Sequence, residues 1–250
     1  MNKKIKLEKR LLMLMGILLM LVKFAAKPVA AMHIMEGFLP VGWSIFWTII
    51  FIPFFTMGVV EINKIIKEKR DRKVLLALSG AFIFILSALK IPSVTGSTSH
   101  PTGVGLGTVL FGPKVISVLG TISLLFQALL LAHGGITTLG ANAMAMTVVG
   151  PFVGYAVYNV SKKMNLNRSV SIFLCAVTAN LATYVMTSIQ LGVALPDPEG
   201  GIVASIIKFL SIFMITQIPI SIIEGLLSVV MVNLIDSSIN VEREVAHNGY

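Results

Sequence analysis

The sequence has very little charge, and this scarcity restricts the class of protein. Charged residues make up 12% of the 250 residues, whereas a soluble domain averages about 25%. Hydrophobic residues make up 56% of the chain, and the mean hydropathy is +0.90. Too few polar side chains are present to cover a surface that faces water. The chain is therefore predicted to be an integral membrane protein.

Cysteine is almost missing, and so are the common nucleotide-binding motifs. The one cysteine, Cys175, lies in an apolar run; it cannot form an internal disulfide, and alone it makes no thiolate metal site. We interpret it as a small core residue. No G-x-x-x-x-G-K-[ST] motif is present, and the glycine-rich segment 103–107 lacks the βαβ context of a dinucleotide loop. Neither an ATP site nor an organic cofactor is expected in this chain.

The basic residues are clustered, although their excess gives a net charge of +9. Most of them fall in segment 3–10, which precedes the first apolar run, and in segments 64–73 and 162–168, which lie between later runs. Nucleic-acid binding would instead require a continuous basic face, and none is predicted. Clusters between apolar runs are what the positive-inside rule produces, so we expect 64–73 and 162–168 to be cytoplasmic.

The first 31 residues have the three-part pattern of a secretory signal peptide. Basic residues between Lys3 and Arg10 precede an apolar run at 11–22, which is short for a membrane span. Small residues from Val29 to Ala31 then form an acceptable cleavage site. Cleavage would leave residues 32–250 as one membrane-embedded domain that begins with Met32. An uncleaved signal anchor is the alternative.

Apolar runs recur along the remaining chain and predict a polytopic all-α membrane bundle. They lack the dyad alternation of barrel strands, so we interpret them as helices. With the mature N-terminus outside, one span reaches the loop at 64–73, and a second returns outside near residue 91. Three further crossings are needed to bring 162–168 back inside. Seven transmembrane helices are thus predicted, at about 43–63, 74–91, 102–113, 115–132, 139–161, 169–191 and 203–235.

The same parity places the mature N-terminus outside the cell membrane and the C-terminal tail in the cytoplasm. Three of the four histidines, His33, His100 and His133, then lie on the outer face, whereas His247 belongs to the tail. One histidine at such a place is often only a hydrogen-bonded interface residue. Three on one face favour a shared site.

A free Met32 followed by His33 has the chemistry of a metal chelator. The terminal amine, the backbone nitrogen of His33 and its ring nitrogen can bind one ion in fused small rings. His100 is the best candidate for a fourth nitrogen, because it lies on the same face and Pro101 restricts it to an extended conformation. Square-planar nitrogen sites favour Ni²⁺ or Cu²⁺, while Co²⁺ is less demanding.

Other polar residues are candidates for supporting this metal site. We expect His133 to orient a ligand through a hydrogen bond or to be a ligand itself, and Asn142 to act similarly. Glu36, four residues after Met32, could balance the charge of the ion or simply lie at the outer interface. Acids within spans are functional candidates by default. The sequence nevertheless gives no role to Glu61, Glu224, Gln127, Gln190 or Gln217.

Several segments are similar to those of one transporter family. They are 32–40 (MHIMEGFLP), 99–107 (SHPTGVGLG), 111–113 (FGP), 131–135 (LAHGG) and 139–142 (LGAN). On these motifs the chain resembles the CbiM/NikM family over nearly its whole mature length. These proteins are the substrate-binding (S) components of cobalt and nickel energy-coupling-factor (ECF) transporters. The Met-Glu-Gly opening, the cleavable leader and the length favour the cobalt branch, which supplies cobalamin biosynthesis.

The resemblance implies both a ligand set and partners. The metal would be held by the N-terminal amine, the second-residue histidine and a loop histidine, which correspond here to Met32, His33 and His100. The ion, Co²⁺ or Ni²⁺, would be the transported substrate. The implied partners are a transmembrane coupling (T) subunit, two ATP-binding subunits and a small auxiliary membrane subunit, and the chain itself would contact membrane lipid.

Two alternatives remain at the level of the sequence. A nickel-specific S component would have the same architecture, since geometry and metal supply decide selectivity as much as affinity does. An intramembrane hydrolase would pair His100 or His133 with Ser97 or Ser99 as a nucleophile. The hydrolase is the weaker hypothesis, because no acid lies near in sequence to orient the base and no nucleophile elbow is present.

Overall fold

The structure is a computed structural model that describes residues 33–68, 72–92 and 98–248. Met32 and the predicted signal peptide at 1–31 lie outside the described residues. The elements are α1 (Val41–Glu68), α2 (Arg72–Ala88), β1 (Ile91–Pro92), β2 (Thr98–Ser99), α3 (Val104–Phe111), α4 (Pro113–Leu131), α5 (Leu139–Ala143), a π-helix (Met144–Val149), α6 (Gly150–Lys163), α7 (Arg168–Ala194) and α8 (Gly201–Asn248).

The prediction of an all-α membrane bundle is confirmed. The π-helix joins α5 to α6 without a break, so the described chain has seven helical segments. Five of them are long and apolar enough to cross a membrane alone: Val41–Glu68, Pro113–Leu131, Leu139–Lys163, Arg168–Ala194 and Gly201–Ser238. The other two are α2, with 17 residues, and α3, with eight.

Helix α3 corresponds to the predicted span at 102–113, which was counted as a crossing because the positions of the basic loops require one there. Eight residues make a helix of about 12 Å, much less than the ~30 Å hydrocarbon core. Residues 104–108 are buried in protein, which is how so short a helix is tolerated at membrane depth. Gly103 begins this helix with a left-handed φ of 72°.

The inside of the bundle mixes large apolar side chains with small and polar ones, whereas the outside is apolar, as lipid requires. Helix α1 buries only Ser44, Phe51 and Gly58, while large apolar side chains such as Ile49 and Val60 are exposed. Such a surface would aggregate in water. In a bilayer it faces acyl chains, and close contact between helices supplies the packing energy.

Helix α7 is the central element, and it packs along both α6 and α8. Small residues allow the helices to approach. A Cβ at Gly154 would lie 2.6 Å from the carbonyl oxygen of Cys175, and one at Gly105 would lie 2.5 Å from the Cβ of Ala176. Cys175 is itself fully buried here, as its interpretation as a core residue predicted.

A short antiparallel pair lies in the connection between α2 and α3. Strands β1 and β2 pair Ile91 with Ser99 and Pro92 with Thr98. The pair brings the chain back directly before His100. The segment 100–103 that follows is buried between helices.

Gly105→Ala should destabilise the bundle, because the added methyl would overlap Ala176 on α7. We expect a loss of about 1–3 kcal/mol, measured as a lower thermal unfolding midpoint in detergent. Gly42→Ala is the matched control, since a Cβ at Gly42 has nothing within 4 Å and alanine favours the helix. Equal midpoints for the two variants would show that α3 and α7 do not pack this closely.

Candidate metal centre

Three buried histidines from three separate segments meet at one end of the bundle. His33 precedes α1, His100 follows β2, and His133 follows α4. Their exposed fractions are 2%, 0% and 4%. The ring centroids are 4.6 Å apart for His33 and His100, 4.7 Å for His33 and His133, and 5.2 Å for His100 and His133. One ring nitrogen of each lies within 4.8 Å of the others, a spacing that suits a shared metal ion.

One ring nitrogen of each histidine lacks a hydrogen-bond partner among the described residues. In the described part of the chain, the Nε2 atoms of His33, His100 and His133 are all buried and all unpaired. A buried polar atom without a partner costs free energy, and most such atoms in proteins are satisfied. A cation bound by all three Nε2 atoms would give each of them a partner.

The other ring nitrogen of His100 fixes which tautomer is present. Its Nδ1 lies 2.9 Å from the carbonyl oxygen of Pro101. Because a carbonyl oxygen can only accept, Nδ1 carries the proton and Nε2 keeps its lone pair. Orientation of a metal-binding imidazole through its second nitrogen is a common feature of metal sites.

Burial also keeps the three imidazoles neutral. It lowers the pKa of His100 to about 4 and that of His133 to about 3, and it lowers the pKa of His33 well below the ordinary 6.5. For His33 and His133, the neighbouring His100 lowers the pKa further, because two positive charges so close would repel. At neutral pH the rings are therefore uncharged, which is the form that binds a metal.

Asn142 on α5 holds the residue next to His33. Its Oδ1 accepts from the backbone N–H of Ile34 at 2.8 Å, and its Nδ2 donates to the Ile34 carbonyl oxygen at 3.0 Å. The hydroxyl of Thr138 donates to the same oxygen at 2.6 Å. Because both the N–H and the carbonyl of Ile34 are bonded, the backbone next to His33 is fixed against α5.

Glu36 holds the loop after His133 and stands apart from the histidine cluster. Its exposed carboxylate accepts from the Ile136 N–H at 2.5 Å and from both the N–H and the hydroxyl of Thr137. The Thr137 hydroxyl in particular lowers the pKa of Glu36. The contact is close, because a Cβ at Gly135 would lie 2.6 Å from the Glu36 Cα.

Two residues that the sequence left without a role lie near the cluster. Gln127 is buried on α4; its Nε2 donates to the Ser87 hydroxyl, and its backbone carbonyl accepts from the His133 N–H at 3.1 Å. Its side chain also favours the protonated form of His33, which raises the pKa of that ring slightly against the effect of burial. Gln217 on α8 donates to the His100 carbonyl at 3.1 Å. Nothing local in the sequence distinguishes these glutamines from Gln190.

The arrangement predicted for a hydrolase is absent where the structure can test it. The Ser99 hydroxyl lies 2.7 Å from that of Thr216, and the Nε2 atoms of His100 and His133 accept no hydrogen bond among the described residues. Ser97 lies outside those residues. The described site therefore offers unpaired imidazole nitrogens and no activated serine.

The fold and this centre together define a class: membrane proteins that handle a transition-metal ion. The family described as "Cobalt uptake substrate-specific transmembrane region", CbiM, matches residues 33–240. The chain belongs to the CbiM family. It is thus a multi-pass membrane component of cobalt uptake, a transport protein whose substrate is cobalt.

Individual relatives agree with this assignment. The chain is 68% identical to a cobalt transport protein CbiM of Listeria seeligeri over 209 residues, which cover 84% of this chain and 86% of that protein. It is 65% identical to the Streptococcus sanguinis protein of the same name, covering 86% and 88%. The crystal structure of a transition metal transporter matches with a TM-score of 0.71 and 26% identity, covering 82% of this chain and 93% of that one.

Glu36→Gln should loosen the loop after His133, because a glutamine offers one acceptor oxygen where the carboxylate offers two. We expect the amides of Ile136 and Thr137 to exchange with deuterium faster, on the order of tenfold for the loss of ~1.4 kcal/mol. The measurement is hydrogen exchange by mass spectrometry. Glu199→Gln, at an exposed site in another loop, is the control. Unchanged exchange at 136–137 would contradict the anchoring role.

Proposed function

We propose that the chain is the substrate-binding component of an ATP-driven ECF-type transporter that imports Co²⁺ for cobalamin biosynthesis. Two observations carry the proposal: one ring nitrogen from each of three buried histidines lies within 4.8 Å of the others, and the Nε2 atom of each ring is unpaired. Imidazole nitrogen suits late first-row divalent ions. A buried site with several nitrogen ligands holds its ion tightly, which is what capture of a scarce metal needs.

The ligands in this proposal are His33, His100 and His133, with Met32 at the mature terminus. Nitrogens bound to one ion at about 2.1 Å lie at most ~4.2 Å apart. A separation of up to 4.8 Å therefore requires only a small contraction when the ion enters. Cleavage after Ala31 would add the Met32 amine and the backbone nitrogen of His33. Asn142 supports this role, since it anchors the residue that follows His33.

Release of a tightly held ion needs energy, and in this proposal other subunits supply it. The chain has no P-loop motif. The proposed partners are two ATP-binding subunits, a transmembrane coupling subunit and a small auxiliary membrane subunit. The basic residues between 64 and 73 favour an orientation in the cell membrane with that loop and the C-terminus in the cytoplasm, and with the metal centre outside.

Nickel is the alternative substrate for the same site. A planar set of four nitrogens favours Ni²⁺, whereas a site of three imidazoles alone suits Co²⁺ as well as Ni²⁺. The high identity to several cobalt transport proteins favours cobalt. Uptake of labelled Co²⁺ in competition with Ni²⁺ separates the two.

Alanine at His33, His100 or His133 should abolish high-affinity metal binding. Each change removes one nitrogen and leaves the other two buried and unpaired. We expect affinity for Co²⁺ and Ni²⁺ to fall at least about 100-fold, measured by equilibrium binding to the purified protein and by cellular uptake. His247→Ala is the matched control, because that histidine belongs to the C-terminal tail. Wild-type binding by the His100 variant would refute the proposed centre.

A glycine inserted between Ala31 and Met32 tests the terminal amine. Cleavage after Ala31 would then leave a Gly-Met-His terminus, whose amine, two backbone nitrogens and His33 ring nitrogen can fill a square plane by themselves and so displace His100. We expect uptake to be lost while the protein still reaches the membrane. N-terminal sequencing of the purified variant must show that the cleavage point has not moved. Normal uptake by a correctly cleaved variant would remove the amine from the ligand set.

A further inference from the structure

Glu224 is a buried acid that the proposed ligand set does not use. It is fully buried, and it lies in Gly201–Ser238, the part of α8 that is long and apolar enough to cross a membrane. Ionisable side chains within membrane spans are costly, and the structure around them must compensate that cost. Glu224 is not among the histidine cluster, so its presence needs a separate explanation.

Four hydrogen-bond donors surround the Glu224 carboxylate. Its Oε2 accepts from the Thr102 N–H and from the Asn180 side chain, both at 2.6 Å. Its Oε1 accepts from the Thr102 hydroxyl at 2.7 Å and from the Gly103 N–H at 2.8 Å. The single ion pair within the described residues joins Arg168 to Asp236. Neutral donors, rather than a basic partner, therefore stabilise this acid.

Three of the four donors belong to the segment that directly follows His100. Thr102 and Gly103 turn the chain from the His100 loop into α3, and Gly103 has a φ of 72°. The turn is tightly enclosed, because a Cβ at Gly103 would lie 2.9 Å from the Cα of Ile83. The carboxylate thus fixes the orientation of two consecutive peptide units just after the ligand.

The same network reaches His100 itself. The Gln217 side chain donates both to Asn180 Oδ1 at 2.8 Å and to the His100 carbonyl oxygen at 3.1 Å. The Tyr184 hydroxyl donates to that carbonyl at 3.0 Å. Asn180 therefore joins Glu224 to Gln217, and the backbone of His100 is bonded to residues of both α7 and α8.

We propose that Glu224 is a positioning residue of the metal centre, which holds the segment 100–103 so that the His100 ring is directed at His33 and His133. The inference rests on the proposed metal site. A carboxylate is suited to this task because it has only acceptors, and all four surrounding groups donate. Glutamine has the same size but would direct an NH₂ group at two of those donors.

Equilibrium binding of Co²⁺ and Ni²⁺ to the purified full-length protein tests the role. We expect Glu224→Gln to weaken binding by about 10- to 100-fold, the usual cost of losing a group that orients a ligand. The visible absorption of the bound ion, which reports its ligand set, should shift towards that of His100→Ala. A residue needed only for folding would lower the thermal midpoint without this spectral change.

The double variant His100→Ala/Glu224→Gln gives the decisive comparison. If Glu224 acts through His100, the double variant binds no more weakly than His100→Ala alone. Losses that add would overturn the proposal, because the acid would then act on the ion or on the fold independently. Wild-type affinity and spectrum for Glu224→Gln would overturn it too. Failure of His100→Ala to weaken binding would instead refute the metal site.

A milder variant covers the case in which Glu224→Gln does not fold. Thr102→Val removes one donor to the carboxylate and should weaken binding by about fivefold, with the same direction of spectral shift. Thr108→Val is its matched control, because the buried Thr108 hydroxyl donates to the Val104 carbonyl, away from Glu224. Equal metal affinity for the two threonine variants would contradict the positioning role.

Discussion

Three imidazole nitrogens without hydrogen-bond partners lie together inside an apolar bundle, and the surrounding structure must hold them there at a cost in free energy. Each histidine is fixed from outside the cluster. Asn142 binds the residue after His33, the backbone of Gln127 binds His133, and residues of α7 and α8 bind His100. Polar groups of the bundle thus hold the three histidines in place, and the lone pairs of their ring nitrogens stay free to bind an ion.

The sequence predicts the bundle well because the bilayer imposes simple rules. Long apolar runs must be helices, and two basic loops on the same side of the membrane must be separated by an even number of crossings. The short helix at Val104–Phe111 was predicted from that count. The predicted parity also brought His33, His100 and His133 to one face, where the structure brings their rings together. Their detailed arrangement did not follow, since spacing along a chain does not fix the direction of a ring.

The residues that hold the site could not be found from sequence patterns. Glu224 bonds to Thr102, 122 positions away, and Gln190, Gln217 and Gln127 all lie in predicted spans with no local motif to set one apart. Glu36 was considered as a charge partner for the ion, yet its carboxylate binds the loop at Ile136 and Thr137. Such contacts depend on tertiary packing, which no helical period or motif encodes.

The origin of the three histidines in distant parts of the chain has a further consequence. A chain with one cysteine has no disulfide of its own, but an ion bound to His33, His100 and His133 would join three loops in the same way. Closing loops restricts the unfolded chain more than the folded one. Loaded protein would then resist unfolding of this face more than empty protein does, although both have the same helices.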